Sequence, residues 1–303
     1  MAPHGSYSGL TFLSENLIVI PNAKTNALEI WDIFSIQTPR PACILQLPEL
    51  SPGNSLFSFA CRGEPNPVGS RSQFESEQPF YQSAHEAIIL FHIEVQLGDP
   101  VAAHQQHGGD IIPTYTFFIH RKALCEIYER QCVDTNSKSG DSSGGTDNNS
   151  MGIPWSSWGP PITRWFSADN HNATRWITTT AGQRGIFCGS HPALARRYIV
   201  MDFNPESLRR AETLSLDVRT RARIQCLRHW PAIQVEGLFK EPVIGELPVV
   251  ICASESFYAW DGASIDEERV LGLEVHTFDF FFFFFFFLFA SSLNVDVFFF
   301  FFL

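Results

Sequence analysis

Apolar residues along this chain recur mainly in short runs of β-branched and aromatic side chains, broken by Pro, Gly and Asn, rather than at the three-to-four spacing of helices. The pattern predicts an all-β chain. Strands are expected at residues 10–13, 16–20, 27–33, 42–47, 55–62, 87–96 and 114–120, with turns at SEN, PNAKTN and QTPRP. A second series is expected at 162–166, 175–180, 184–188, 198–203, 213–218, 247–253, 257–260 and 269–275. RKALCEIYERQ, after His120, places Ala123, Leu124, Ile127 and Tyr128 at helical spacing, and Pro205 to Ala211 reads as a short helix opened by proline. Only one or two short helices are therefore expected. The polar stretch 134–150 cannot bury enough apolar surface to offset the entropy of ordering, and reads as a disordered loop. The Pro- and Ser-rich GEPNPVGSRSQFESEQPF is a surface excursion.

Grouped in fours, these strands make about four sheets, as the blades of a β-propeller do. The predicted architecture is a partial antiparallel β-propeller of about four blades over residues 1–277, with a two-sheet sandwich as the competing arrangement of the same alternation. The end of the chain changes the picture. Fifteen of the 29 phenylalanines fall within residues 278–302, eight of them consecutive from Phe280 to Phe287. This low-complexity tail, 278–303, is too short in its unbroken apolar run for a bilayer, and Asp296 interrupts the remainder. Poly-Phe is what a pyrimidine-rich stretch would encode if translated, so a mispredicted intron boundary is its expected origin. If made, the tail is expected to drive aggregation or membrane association.

With 21 Lys and Arg against 32 Asp and Glu, the net charge of −11 argues against a nucleic-acid partner, whose phosphates call for clustered cations. Cys43, Cys61, Cys125, Cys132, Cys188, Cys226 and Cys252 form no CxxC pair and are odd in number, which fits buried thiols in a reducing compartment, cytoplasmic or nuclear. The N-terminus shows no basic stretch followed by an apolar core, so secretion is not expected. The sequons at Asn148 and Asn172 are too short a motif to carry weight.

Each candidate chemistry has a plainer reading. His104 and His107 in HQQHGGD supply two metal ligands where zinc wants three or four, so a solvated loop is expected. Ser167, Asp169 and His171 are triad residue types crowded into one turn, and no GxSxG elbow accompanies them. Phosphate loops of the GxxxxGK or GxGxxG kind are missing. Arg209, Arg210, Arg219, Arg221, Arg223 and Arg228 against Glu212 and Asp217 give a local balance of +4, a solvated face and the place to look for an acidic partner. TRWF at Thr163 to Phe166 and TRWI at Thr174 to Ile177 predict a hairpin pairing Arg164 with Trp176 and Trp165 with Arg175, as partly exposed cation–π staples. The dipeptides Trp31–Asp32 and Trp260–Asp261 lack the period of a propeller repeat family. No catalytic, cofactor-binding or metal residue is assigned, no cofactor is expected, and the binding residues are not fixed by sequence.

Several segments, LTFLSENLIVIPNAKTNALEIWDI, CRGEPNP, PFYQSAHEAIILFHIEV, YTFFIHRKAL, IPWSSWGPPITRWF, TRWITTTAGQRGI, YIVMDFNPESLRRA and IDEERVLGLEV, together resemble the C-terminal β-propeller region of fungal, mushroom-type F-box proteins. The resemblance is collinear from Gly9 to Val275. It implies a substrate-receptor module of a cullin-type ubiquitin ligase that binds a protein substrate and has no catalysis of its own. No F-box precedes Leu10 in this sequence, so a Skp adaptor is expected as a partner only if such a segment lies upstream. A fragmentary propeller with two open sheet edges is the expected product. Two other readings compete. A propeller hydrolase or glycosidase would bring Asp169, Asp202, Asp217 and Glu246 together. A membrane-associated protein would depend wholly on the Phe tail.

Overall fold

The computed structural model describes residues 9–34, 40–67, 83–98, 112–137, 152–167, 179–189, 197–213, 224–227, 237–254, 258, 262–266, 269–275 and 295–301. Among them lie sixteen strands in four antiparallel sheets and three helices. The first sheet joins β1 (Thr11–Phe12), β2 (Leu17–Asn22), β3 (Ala27–Asp32) and β4 (Cys43–Gln46) in chain order. The second joins β5 (Ser55–Arg62), β6 (Ile88–Gln96), β7 (Thr114–His120) and β8 (Thr163–Ser167), again in chain order. The third sheet departs from this meander. It contains β9 (Thr180–Ala181), β10 (Arg184–Gly189), β11 (Arg197–Asp202), β12 (Ile224–Leu227) and β13 (Val249–Ala253), with β13 inserted between β11 and the edge strand β12. The fourth is β14 (Gly262–Ile265), β15 (Arg269–Val275) and β16 (Val295–Phe301).

Side chains alternate across a strand, so each sheet can present two apolar faces. Phe91 and Ile93 of β6 and Phe117 and Ile119 of β7 meet Val19, Leu28, Ile30 and Leu45 of the first sheet in the largest core cluster. The intervening Leu90 and Phe118 face the opposite way and join Met201, Phe203 and Val249 of the third sheet. That sheet in turn lays Ile186, Tyr198 and Val200 against Ala263, Ile265 and Val270 of the fourth. The sheets thus stack face to face in the order of the chain, and the second and third are covered on both faces. Four sheets in succession replace the two facing layers of a sandwich.

Aromatic side chains reinforce the second sheet across its strands. Register places Phe91 opposite Phe117 and Phe117 opposite Trp165, and the rings stack at 4.9 and 4.3 Å between centroids. Each contact of this kind contributes about 0.5–1.5 kcal/mol beyond its area. The expectation of partly exposed Arg164 and Trp165 is corrected here. Both are buried, at 0% and 2% exposure, because β8 pairs with β7 and turns Trp165 into the main core. Arg164 faces the other way and donates from Nε to the Leu247 carbonyl at 2.6 Å. Burial lowers its pKa to about 10, partly offset by the Glu246 carboxylate. TRWI lies outside the described residues.

The helices correct the expected number and length. α1 (Arg121–Ser137) is a 17-residue helix, so residues 134–137, expected in the disordered loop, are helical; residues 138–150 lie outside the described ones. α2 (Trp155–Ile162), which carries two prolines, is not among the expected helices. Its prolines sit in the last turn, Pro160 and Pro161, where they end the helix before β8 begins at Thr163 rather than Ile162. α3 (Pro205–Thr213) begins at the expected proline and takes in Thr213, the first residue of an expected strand whose remainder lies outside the described residues. At the far end, Val295–Phe301 of the Phe-rich tail pairs with Arg269–Val275 along its whole length, from Val275↔Val295 to Arg269↔Phe301. That segment of the tail is a strand of the fourth sheet. Among the described residues no helix is long and apolar enough to cross a membrane.

Candidate functional site

One end of the first sheet is built into a cleft. Its floor begins with the β2–β3 turn, where the Asn22 side-chain oxygen accepts the amides of Lys24 at 3.0 Å and Thr25 at 3.2 Å. Asn26 closes the turn with φ of 51°, a left-handed conformation that Asn tolerates better than most residues. From there Asn26 Nδ2 donates to the Pro48 carbonyl at 2.9 Å, and the Leu47 amide donates to the Asn26 carbonyl at 2.9 Å. The turn and the exit of β4 are thereby fixed to each other.

A second wall comes from the segment before α2. Ile153 forms a parallel bridge with Leu45: its amide donates to the Ile44 carbonyl at 2.7 Å, and the Gln46 amide donates to the Ile153 carbonyl at 2.8 Å. The approach is close at Gly152: a Cβ there would fall 2.7 Å from Gln46 Nε2 and 3.0 Å from Ile44 Cγ2, so both side chains would have to give way. Extended Pro154 then precedes the helix, and Trp158 Nε1 anchors it to the Gln46 carbonyl at 2.9 Å. Trp155, half-buried, lies over Gly159 and meets Trp158 and Trp165 edge-on at 5.0 and 5.6 Å.

The third wall is residues 240–242. Leu238, Phe239 and Val243 are buried in the main core, and Phe239 bridges Leu50, so the exposed residues between them are held against the cleft. Lys240 donates its backbone amide to the Glu49 carbonyl at 2.9 Å and its ammonium to the Glu49 carboxylate. The resulting cleft has a volume of about 530 Å3 and is lined by Thr25, Asn26, residues 46–49, Gly152, residues 154–156 and residues 240–242. Its size falls in the range of roughly 300–1,000 Å3 typical of ligand pockets. Its lining combines an indole, three proline rings, side-chain amides and charged groups.

None of the residues weighed in the sequence lies in this cleft. Ser167 is exposed at the end of β8, while Asp169 and His171 are outside the described residues, as are His104, His107, Arg219, Arg221, Arg223, Arg228, Trp260 and Asp261. Asp202 accepts from Arg184 Nε at 3.1 Å and Ser207 Oγ at 2.9 Å, so its carboxylate is occupied in joining β10 to α3. Glu246 is exposed, and Asp169 and Asp217 are not described. Arg209 and Arg210 are exposed on α3, where Arg209 pairs with Glu206. Trp31 donates to Glu29 Oε2 at 3.1 Å, and Asp32 accepts the Phe34 amide at 3.0 Å, which makes this WD pair structural.

Several groups with displaced titration sit in the core instead. Burial raises the Cys43 thiol to about 12 and those of Cys61 and Cys125 to about 11, so little reactive thiolate forms there. It lowers His92 and His120, the latter bonded through Nδ1 to the Glu86 carbonyl at 3.1 Å. Arg121, fully buried and lowered by burial to about 10, donates to the carbonyls of Pro65 at 2.9 Å, Gly63 at 3.4 Å and Ala84. Among the described residues no group of three or more His, Cys, Asp or Glu is placed to hold a metal ion. The signal that could have revealed the cleft is IPWSSWGPP, whose tryptophans and prolines suit neither a strand interior nor a solvated loop. Comparison with protein families, curated proteins and solved structures finds no match to this chain.

Proposed function

We propose that this chain is a protein-binding module of the kind carried by F-box substrate receptors, a partial β-propeller that captures a partner without catalysis of its own. Support for the architecture comes from two four-stranded meanders in chain order and from successive sheets packed face to face. The observation that carries the function is the cleft beside Trp155, at one end of the first sheet. Exposed contact groups there are positioned by buried neighbours on three separate segments, the arrangement that gives a binding surface its shape before the partner arrives.

A photo-crosslinking residue placed at exposed Ser156, compared with one at exposed Arg210, tests the reading. Partner proteins should crosslink from position 156, not from 210, and should be lost in the Trp155→Ala variant. Equal labelling from both positions, unchanged by that variant, counts against capture at the cleft. Purified Skp adaptor should not be retained by this chain; retention would mean that ligase docking, not capture, is encoded here.

A further inference from the structure

Resting on the reading of the cleft as the capture site, three features of its chemistry converge on one class of ligand. Trp155 lines the cleft together with the exposed rings of Pro154 and Pro242 and the buried ring of Pro48, all of fixed shape that lose little freedom on binding. Such ridged aromatic and proline surfaces suit polyproline II segments, whose conformation is set beforehand and whose carbonyls, unused internally, point outward. The cleft offers donors for those carbonyls. Gln46 contributes its side-chain amide, and the amino end of α2, preceded by Pro154, has no side-chain cap on its first amides.

Charge then selects among such segments. The Lys240 ammonium is engaged by Glu49, which leaves the cleft no uncommitted cation for an acidic or phosphorylated ligand. Glu241, next along the wall and exposed, makes no ion pair among the described residues. We infer that the cleft binds an extended, proline-containing segment of a partner protein, laid across Trp155 with an Arg or Lys beside Glu241.

Fluorescence anisotropy with the full chain tests this, using a short labelled peptide that alternates proline with arginine and two relatives, one with Glu for Arg and one with Gly for Pro. The proline–arginine peptide should bind, and each relative should bind about tenfold more weakly or worse. Trp155→Ala should abolish binding. Glu241→Lys, at an exposed site that leaves the fold intact, should reverse the preference between the Arg and Glu peptides. Equal binding of the Pro and Gly peptides, equal binding of the Arg and Glu peptides, or indifference to Glu241→Lys overturns the inference. If partners still crosslink from position 156 in a Trp155-dependent way, those outcomes remove only the ligand class; if crosslinking also fails, the capture reading falls with it.

Discussion

Substituting Gly159 by alanine gives a direct measure of how firmly the cleft's indole is held. Gly159 follows Trp155 by four residues, so the two share one face of α2. A methyl group at 159 would lie 2.1 Å from both Cε3 and Cζ3 of Trp155, well inside the 3.0 Å that Cβ contacts essentially never breach. The indole must move, and it gives up its edge-on contacts with Trp158 and Trp165. Overpacking costs about 1–3 kcal/mol and each aromatic contact about 0.5–1.5 kcal/mol, while alanine in a helix recovers about 0.5–1 kcal/mol relative to glycine. A net loss of about 1–5 kcal/mol is expected, read from urea unfolding by far-ultraviolet circular dichroism. The discriminating measurement is the same substitution in a Trp155→Ala background. With the ring gone the three atoms nearest the methyl are removed, and Gly159→Ala should cost much less than in the parent chain, offset by the gain of about 0.5–1 kcal/mol that alanine brings to a helix. Equal losses in the two backgrounds would refute the claim that the indole is what the methyl meets.

Two further outcomes follow from the core. Arg121→Met removes the donors to three carbonyls around Gly63, Pro65 and Ala84, and should lower stability by about 3 kcal/mol or more in urea unfolding, with Arg121→Lys recovering only part; a loss below about 1 kcal/mol counts against the clamp. Burial lowers the His120 pKa in the folded chain, so the unfolded chain binds its proton first; the stability contributed by neutral His120 is fully present above its unfolded pKa of about 6.5 and is lost as pH falls below it. Unfolding free energies measured from pH 7.5 to 5 should fall toward acid by no more than about 1.4 kcal/mol per pH unit from this group, and His120→Gln should flatten that part of the profile; an unchanged slope refutes the assignment.

The sheet elements were legible because their signal is local. Leu17, Val19, Leu28 and Ile30 alternate or cluster as a buried strand pair must, and Asn22 and Asn26 mark the turn between them. The helix after His120 was legible for the same reason, although it runs on through Ser137, where polar residues continue a helix already held by Leu124 and Ile127. Long-range structure was not readable. Nothing near Arg164 announces that Leu247, 83 residues later, will accept its guanidinium, and nothing near Ile153 announces the Leu45 bridge. The cleft escaped for that reason: Asn26, Gln46, Trp155 and Glu241 become neighbours only through bonds made across the chain. The insertion of β13 between β11 and β12 is likewise a choice of partner, which periodicity does not encode.

The bridge between Ile153 and Leu45 has a consequence for how the molecule can be dissected. Ile153 follows β7 and precedes β8 in sequence, yet its amide and its carbonyl are both spent on β4. The first two sheets are therefore laced together by main chain as well as by side-chain contact, and the lace passes back across the seam. Excising either one as a separate fragment strips the other of part of its own border. Any minimal expression product must carry both, from Thr11 to Ser167, to keep either whole.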